Sequence, residues 1–142
     1  KIKDQDIVEI TKSAVQIFKS SNLKIKTTKD KIIWPIDRTQ WIRVLTNLIQ
    51  NAIQAVPENR KPNINLHISL EKNKLKMNIE DNGTGIVKKD QLKIFEPKFT
   101  TKSAGMGLGL AIVKNIIDSL NGNISFKSEP NKGTKFSIIL KK

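Results

Sequence analysis

Apolar residues recur every three or four positions in three stretches of the chain, which is the spacing of one face of an α-helix. The stretches predict helices at residues 4–19, 37–56 and 106–120. Asp4 or Asp6 is a suitable N-cap for the first helix, and Asp37 is one for the second. The third helix is expected to end at Asn121-Gly122, a typical C-terminal signal.

Apolar and polar residues alternate elsewhere, as they do in strands with one buried face. The alternation predicts strands at residues 23–27, 32–34, 64–70, 75–79, 124–127 and 134–140. The third and fourth strands form a hairpin, because only residues 71–74 separate them. Strands and helices are grouped and do not alternate as in a regular βαβ protein. We therefore expect one α+β domain over residues 1–142, a two-layer α/β sandwich whose mixed, mostly antiparallel sheet carries about three helices on one face.

The composition narrows the classes of function. The chain has 142 residues, of which 37% are hydrophobic, and this suits one domain with one core. It has no cysteine and a single histidine, His67, so a disulfide framework and a zinc site of Cys and His are excluded. No apolar run approaches the roughly 18 residues of a membrane helix, and no secretory leader is evident. We therefore expect a cytoplasmic protein.

The formal net charge is +13, which favours an anionic partner. Nucleic acid, an acidic membrane surface, a nucleotide and an acidic protein all satisfy that requirement. The basic residues are spread along the whole chain, as on an ordinary solvated surface. They are not interleaved with aromatic residues, which make up only 5% of the chain, so we expect no nucleic-acid partner.

Two asparagines of the second predicted helix, Asn47 and Asn51, lie four residues apart and therefore share one flank of its apolar stripe. Asparagine is a middling helix former, and an amide at the edge of a core needs polar partners. The pair either binds a ligand or cation or caps nearby loops, and the spacing alone does not choose between these interpretations.

Two glycine-containing segments have a candidate binding role. Asp81-Asn-Gly-Thr-Gly85 directly follows a strand, where glycines let the backbone turn and approach a flat ligand, although such a segment is also an ordinary turn. Gly105-Met-Gly-Leu-Gly109 leads into the third helix, whose free N–H groups suit phosphate oxygens. Its spacing differs from that of a Rossmann loop, and the chain contains no Walker loop.

In their order, these motifs resemble the superfamily of ATPases that includes gyrase, a heat-shock chaperone, MutL and the histidine kinases. Residues 47–52 resemble its N box, 81–85 its first glycine box, 95–102 its F box, 105–109 its second glycine box and 133–134 its last. The F box, Phe-Glu-Pro-Lys-Phe-Thr-Thr-Lys, is similar to that of histidine kinases, particularly those of the nitrogen-regulation type. The resemblance implies a Bergerat-type ATP-binding fold.

The resemblance also implies roles for single residues. Asp81 is expected to accept a hydrogen bond from the exocyclic amine of adenine, with help from Thr134 through a water. Asn51 is expected to hold the Mg²⁺ of Mg-ATP, and Asn47 to lie near the phosphate groups, where it and Lys102 form the predicted catalytic pair. Gyrase-like relatives carry a glutamate at the position of Asn47, whereas an amide takes up no proton at neutral pH. This difference favours a kinase over a hydrolase.

A mobile lid is implied at residues 100–106, with Phe95 and Phe99 anchoring its base and Lys102 near the phosphates. The other residues of the predicted nucleotide site are Gly83, Gly85, Ile86, Thr100, Thr101, Gly105, Met106, Gly107, Leu108 and Gly109. Together with Phe95, these residues would surround ATP between the two glycine boxes.

Two departures from the family pattern change the expectation. Gln54 stands where many relatives carry Lys or Arg, so Lys98 or Lys102 is expected to contact the phosphates instead. The segment with the phosphoacceptor histidine does not precede the first predicted helix, so we expect that segment and any sensor domain to lie outside this chain. His67 is out of phase with its apolar neighbours and is expected to face solvent.

The predicted function is transfer of the γ-phosphoryl group of Mg-ATP to a histidine on the phosphoacceptor domain of the same two-component sensor kinase. A response regulator is then the downstream partner. We expect the chain alone to be a monomer that does not autophosphorylate, and the parent kinase to be a homodimer that an inner-membrane anchor can hold. Two alternatives stay open: a stand-alone serine kinase of the anti-sigma type, which the F box disfavours, and a basic nucleic-acid-binding module.

Overall fold

The computed structural model of the protein describes residues 1–18, 22–96 and 109–142. Its strands are β1 (Ile2–Asp6), β2 (Asn22–Thr27), β3 (Ile33–Asp37), β4 (Asn63–Glu71), β5 (Lys74–Glu80), β6 (Asn123–Glu129) and β7 (Gly133–Lys141). Its helices are α1 (Ile7–Val15), α2 (Arg38–Ala55), α3 (Lys88–Gln91) and α4 (Gly109–Ser119), and a 3₁₀ turn follows α1. Within the described ranges, no helix is long and apolar enough to cross a membrane.

Five strands form the main sheet in the order β2-β4-β5-β7-β6. β2 is parallel to β4, and the other three pairs are antiparallel. The central register places Ile68 of β4 opposite Met77 of β5, and Met77 in turn opposite Ile138 of β7. The predicted α+β fold with a mixed, mostly antiparallel sheet is confirmed.

The core lies between the main sheet and the layer formed by α1, α2 and α4. Asp37 caps α2, because its side chain accepts a hydrogen bond from the backbone N–H of Gln40 at 3.1 Å. α2 then places Trp41, Val44 and Leu45 in the core with none of their surface exposed. Burying a side chain of this size contributes roughly 1.5–3 kcal/mol, so this helix is a main source of stability for the two layers.

The opposite face of the main sheet is formed by the alternate residues of β2 and β4–β7, and we call it the open face. Its middle row consists of Lys26, His67, Asn78, Ser137 and Ser125, each opposite the next in the strand register. His67 is exposed there, as its alternation with buried neighbours predicts.

The N-terminal region departs from the prediction, since β1 occupies the first turn of the predicted helix and pairs antiparallel with β3. Asp6, and not Asp4, is the N-cap of α1. Its Oδ1 accepts hydrogen bonds from the backbone N–H groups of Val8 and Ile32, both at 3.1 Å. The second bond ties the start of the helix to the segment that leads into β3, which Asp4 does not do.

Two further bounds differ from the prediction. α1 ends at Val15, so Ile17 no longer continues its apolar stripe and is 70% exposed. β3 is longer than predicted and includes Pro35. A proline is tolerated there because β3 pairs with β1 alone within the described chain, which makes it an edge strand.

The C-terminal end of α4 is confirmed. Asn121 adopts a left-handed φ of 56°, and the N–H of Gly122 donates to the carbonyl of Ile117 at 2.9 Å. The predicted first turn of this helix, residues 106–108, lies outside the described residues. The single-turn helix α3 was not predicted, because four residues are too few for a periodic signal.

Candidate functional site

Two of the described residues that the sequence singles out, Asp81 and Thr134, meet at one end of the main sheet. Asp81 directly follows β5, and Thr134 is the second residue of the neighbouring β7. Because the two strands are antiparallel, the end of β5 lies beside the start of β7. The C-terminal end of α2 reaches the same place, since a Cβ added at Gly83 would lie 2.6 Å from the carbonyl oxygen of Ala55. Farther along α2, Asn47 lies beside α4, since a Cβ added at Gly109 would lie 3.3 Å from its Oδ1.

Asp81 is a buried carboxylate with only 5% of its surface exposed. Its Oδ1 accepts hydrogen bonds from the backbone N–H of Gly83 at 2.9 Å and of Thr134 at 3.2 Å. Its own backbone N–H donates to the carbonyl of Thr134 at 2.9 Å. An ionised carboxylate is costly to bury unless donors compensate, and these N–H groups both compensate and fix its direction.

The loop after Asp81 depends on close approaches that only glycine permits. A Cβ at Gly83 would lie 2.6 Å from the carbonyl oxygen of Ala55, the last residue of α2. The next residue, Thr84, donates its N–H to that same oxygen at 3.0 Å. Gly85 has a φ of +75°, and a Cβ there would lie 2.1 Å from the carbonyl oxygen of Glu129. The loop is thereby held between α2 and the β6–β7 turn.

Ser128 is a member of the site that the sequence analysis missed. Its Oγ accepts a hydrogen bond from the backbone N–H of Ile86 at 2.7 Å, lies 2.8 Å from Oγ1 of Thr134, and is 3.2 Å from the carbonyl oxygen of Gly133. One hydroxyl therefore links the Asp81 loop to the β6–β7 hairpin. The signal in the sequence is the strand alternation. Ser128 is polar, but it lies on the same core-facing side of β6 as Ile124.

Asn47 and Asn51 lie one turn apart on α2, and both side chains are half-buried. Nδ2 of Asn47 donates to the backbone carbonyl of Arg43 at 2.9 Å, which directs its Oδ1 toward the start of α4. Gln54, three residues after Asn51, is exposed. Among the described residues, no group of three or more His, Cys, Asp or Glu side chains converges on one point. A metal at this position would therefore depend on amide oxygens and on oxygens of its ligand.

Phe95 packs into a cluster of three aromatic rings beside the site. Its ring meets that of Phe126 edge-on, with the centroids 5.9 Å apart, and that of Phe136 at 6.3 Å. Such edge-to-face contacts stabilise aromatic pairs by about 0.5–1.5 kcal/mol beyond the burial of area. The cluster anchors residues 92–96 to β6 and β7.

Several predicted site residues lie outside the described part of the chain. They are Thr100, Thr101, Lys102, Gly105, Met106, Gly107 and Leu108, together with Lys98 and Phe99 at the base of the predicted lid. The contacts of the described residues connect Asp81, Gly83 and Thr134 directly, and Ile86 with Thr134 through Ser128. Asn47 lies beside Gly109 in a second group.

The chain is similar to a large group of signalling proteins. A family model described as histidine kinase-, DNA gyrase B- and HSP90-like ATPase matches residues 36–142. The chain is 37% identical over 110 residues to the sensor protein TdiS of Thauera aromatica, covering 75% of this chain and 20% of that protein. It is 36% identical over 125 residues to sporulation kinase B of Bacillus subtilis, covering 87% of this chain and 28% of that kinase. It therefore spans between a fifth and about a third of the length of these relatives.

Solved structures of kinase domains have the same fold. The catalytic domain of the histidine kinase ThkA is 30% identical to this chain, with a TM-score of 0.89 and coverage of 100% of this chain and 96% of that domain. The mycobacterial sensor histidine kinase MprB has a TM-score of 0.84 at 21% identity, with coverage of 99% and 97%, and supports the fold alone.

Proposed function

The chain belongs to the family of histidine kinase-, DNA gyrase B- and HSP90-like ATPases, and we propose that it is the catalytic domain of a sensor histidine kinase. In this proposal it binds Mg-ATP at the Asp81 end of the sheet and transfers the γ-phosphoryl group to a histidine of a phosphoacceptor domain in the same protein. The observation that carries the proposal is the buried carboxylate of Asp81, held in a fixed direction by the N–H groups of Gly83 and Thr134.

Base recognition follows from the chemistry of this carboxylate. Asp81 offers an acceptor, and the exocyclic amine of adenine is a donor, whereas guanine has a carbonyl oxygen at the corresponding position. A charge-assisted hydrogen bond is roughly twice as strong as a neutral one, so an oriented carboxylate gives a clear preference for adenine. Thr134 would assist through its hydroxyl, which Ser128 holds from the other side.

The phosphate groups would lie between α2 and α4. The half-buried amide of Asn47 and the first N–H groups of α4 border this space, and helix N-termini suit anionic oxygens. In this proposal, Lys102 contacts the phosphates and takes part in catalysis, and residues 100–106 form the lid. These residues lie outside the described ranges. Glycines at 105, 107 and 109 would allow the backbone to follow the triphosphate.

The residues present fit a magnesium ion that arrives with the nucleotide. Mg²⁺ prefers oxygen ligands, keeps several waters and takes the rest of its shell from phosphates. Asn51 would contribute its amide oxygen, and the absence of a converging carboxylate cluster among the described residues fits a cation without an all-protein cage. When bound, the ion would neutralise charge that develops on the transferred phosphoryl group.

Transfer to another domain, and not hydrolysis, fits the groups near the phosphates. The side-chain amide of Asn47 takes up no proton at neutral pH, so a water molecule near the phosphates would lack a general base. The only histidine in the sequence, His67, is exposed on the open face, on the other side of the sheet from the core layer. The nucleophile is therefore supplied by a partner domain.

The wider setting is part of the proposal. The parent protein would be a homodimer that passes its phosphoryl group to a response regulator, with this domain acting in the cytoplasm. The amino-acid sequence of residues 95–102 is similar to that of kinases of the nitrogen-regulation type, which supports this assignment. The F box disfavours a serine kinase that acts on a separate protein, and the same experiment distinguishes the two activities.

The test is incubation with ATP labelled at the γ-position. The chain alone should hydrolyse very little and acquire no label. The polypeptide that carries the phosphoacceptor histidine, encoded by the same gene, is then added. It should acquire label that is acid-labile and base-stable. Rapid hydrolysis by the chain alone would indicate a gyrase-like ATPase. Acid-stable, base-labile label on a partner would indicate the serine kinase.

A further inference from the structure

The open face of the main sheet is cationic. Its exposed and half-exposed charged residues are Lys24 and Lys26 of β2, Glu71 of β4, Lys74, Lys76 and Glu80 of β5, Lys127 and Glu129 of β6, and Lys135 and Lys141 of β7. Lysines therefore exceed glutamates by seven to three on this face. They alternate along each strand with residues of the core, so their side chains project away from the helices.

Little of this positive charge is neutralised within the protein. Lys76 pairs with Glu71 at 3.4 Å, whereas Glu129 pairs with Lys132 of the β6–β7 turn at 3.4 Å. In the described part of the chain, the other six lysines of the open face form no ion pair. Glu80, the third glutamate of the open face, lies opposite Lys135 in the strand register, where its carboxylate attracts that lysine.

The arrangement of the lysines is unfavourable for the isolated sheet. Lys127 lies directly opposite Lys135, and Lys74 lies directly opposite Lys141. Like charges in directly opposed cross-strand positions destabilise a sheet. A sheet face that contacts only solvent is more stable when charges of opposite sign are interspersed on it. An anion bound to this face would relieve both repulsions.

We propose that the open face binds the surface of a membrane rich in anionic phospholipids. Five strands spaced about 4.8 Å apart give an area roughly 20 Å wide. Lysines are compact charges on flexible stems, and each attracts an anionic lipid surface by about 1 kcal/mol, or about fivefold in affinity. Lipid headgroups move laterally to meet such charges, so a preformed groove is not required.

The chemistry of the face disfavours other anionic partners. A specific protein partner generally needs an apolar centre with aromatic anchors. The middle row of the open face contains instead Lys26, His67, Asn78, Ser137 and Ser125. Single-stranded nucleic acid needs aromatic side chains for stacking, and the three clustered phenylalanines, Phe95, Phe126 and Phe136, belong to the core side of the sheet.

The inference goes beyond the proposed function and is independent of it. Thr134 is in phase with Phe136 and faces the helical layer, with only 5% of its surface exposed. Asp81 shares its hydrogen bonds with Thr134 on that side. A membrane on the open face would therefore leave the nucleotide site accessible, and loss of one binding function need not affect the other.

The test compares two triple variants of the whole 142-residue chain that have the same net charge. The open-face variant is Lys26→Gln, Lys74→Gln and Lys127→Gln, and the control variant is Lys3→Gln, Lys12→Gln and Lys31→Gln. All six lysines are exposed and form no ion pair with another described residue. Co-sedimentation is measured with vesicles of equal parts phosphatidylglycerol and phosphatidylcholine, and with vesicles of phosphatidylcholine alone, at low and high salt.

The unaltered chain should bind the anionic vesicles at low salt and neither vesicle at high salt. The open-face variant should lose on the order of a hundredfold in affinity for the anionic vesicles, and the control variant much less. Equal losses in both variants, or no binding by the unaltered chain, would overturn the proposal. So would displacement of the chain from vesicles by a stoichiometric amount of duplex DNA, which would assign the face to nucleic acid. ADP affinity, measured in parallel, should be the same in both variants.

Discussion

Asp81 and Thr134 hold each other through both backbone and side chain: the N–H of Asp81 donates to the carbonyl of Thr134 at 2.9 Å, and the N–H of Thr134 donates to Oδ1 of Asp81 at 3.2 Å. The two residues are 53 positions apart in the sequence. The first bond continues the β5–β7 ladder, and the second directs the carboxylate. The acceptor that we propose for the nucleotide base is thus positioned by the strand pairing itself.

The change Asp81→Asn should weaken ADP binding by roughly 10- to 100-fold, the equivalent of about 1.5–3 kcal/mol. The N–H groups of Gly83 and Thr134 would hold the amide oxygen at the position of Oδ1. The amide nitrogen, a donor, would then replace the second carboxylate oxygen and face the donor amine of adenine. Calorimetry measures the effect, and Glu80→Gln, the same type of change at the exposed preceding residue, is the matched control. Unchanged affinity in Asp81→Asn would contradict the role of this carboxylate.

The change Ser128→Ala should lower both stability and nucleotide affinity. It removes the acceptor of the Ile86 N–H and the partner of the Thr134 hydroxyl. Leaving a half-buried N–H without its partner costs about 1–3 kcal/mol of unfolding free energy, which urea denaturation measures. Ser125→Ala, on the exposed side of the same strand, should change neither quantity. Full ADP affinity in folded Ser128→Ala would show that Thr134 needs no support from this hydroxyl.

Two glycines that border the site should differ in their tolerance of alanine. In Gly83→Ala, the new Cβ meets the backbone of Ala55 at 2.6 Å, so the loop or the end of α2 has to shift. In Gly109→Ala, the new Cβ approaches, among the described residues, the side chain of Asn47 alone, with Oδ1 at 3.3 Å, and alanine is the better helix former. Thermal unfolding should therefore show a lower Tm for Gly83→Ala and a smaller change for Gly109→Ala. The reverse order would contradict the close approach of Gly83 to the end of α2.

The change Asn51→Ala should remove the magnesium dependence of ATP binding and leave adenine recognition intact, because the two contacts belong to different elements. The loss of ATP affinity in the presence of magnesium should be roughly 10- to 100-fold. Calorimetry with and without magnesium separates the two contributions. Gln54→Ala, on the exposed side of the same helix, is the control. A magnesium dependence that persists in Asn51→Ala would place the metal elsewhere.

The sequence predicted those elements whose side chains alternate or repeat clearly. The Asp37 cap, the long helix after it and the β4–β5 hairpin follow from short-range signals that the structure confirms. β1 was missed because Ile-Lys-Asp-Gln-Asp has no apolar alternation, and it becomes a strand only through backbone pairing with β3, about 30 residues away. Local patterns contain no information about such a partner.

The site was predicted unevenly for the same reason. The motifs identified Asp81, Thr134 and the asparagine pair by type and order. Ser128 has no motif of its own, and its contacts with Ile86 and Thr134 exist only once β6 and β7 have folded against the loop. A polar residue at a core-facing strand position is the general signal by which a residue of this kind can be found.

The long separation along the chain between β5 and β7 also affects how the protein folds. The hairpins β4–β5 and β6–β7 are local and can form early, whereas the pairing of β5 with β7 requires the whole intervening segment to be closed into a loop. The amides of Asp81 and Thr134, which bond each other across these two strands, are therefore protected only in the completed sheet. Their hydrogen exchange should require global unfolding, and added ADP should slow it by a factor of about 1 plus the ratio of the ADP concentration to Kd, because the nucleotide binds the native state. A nucleotide bound at this carboxylate would therefore stabilise the pairing of the two strands and, with it, the whole sheet.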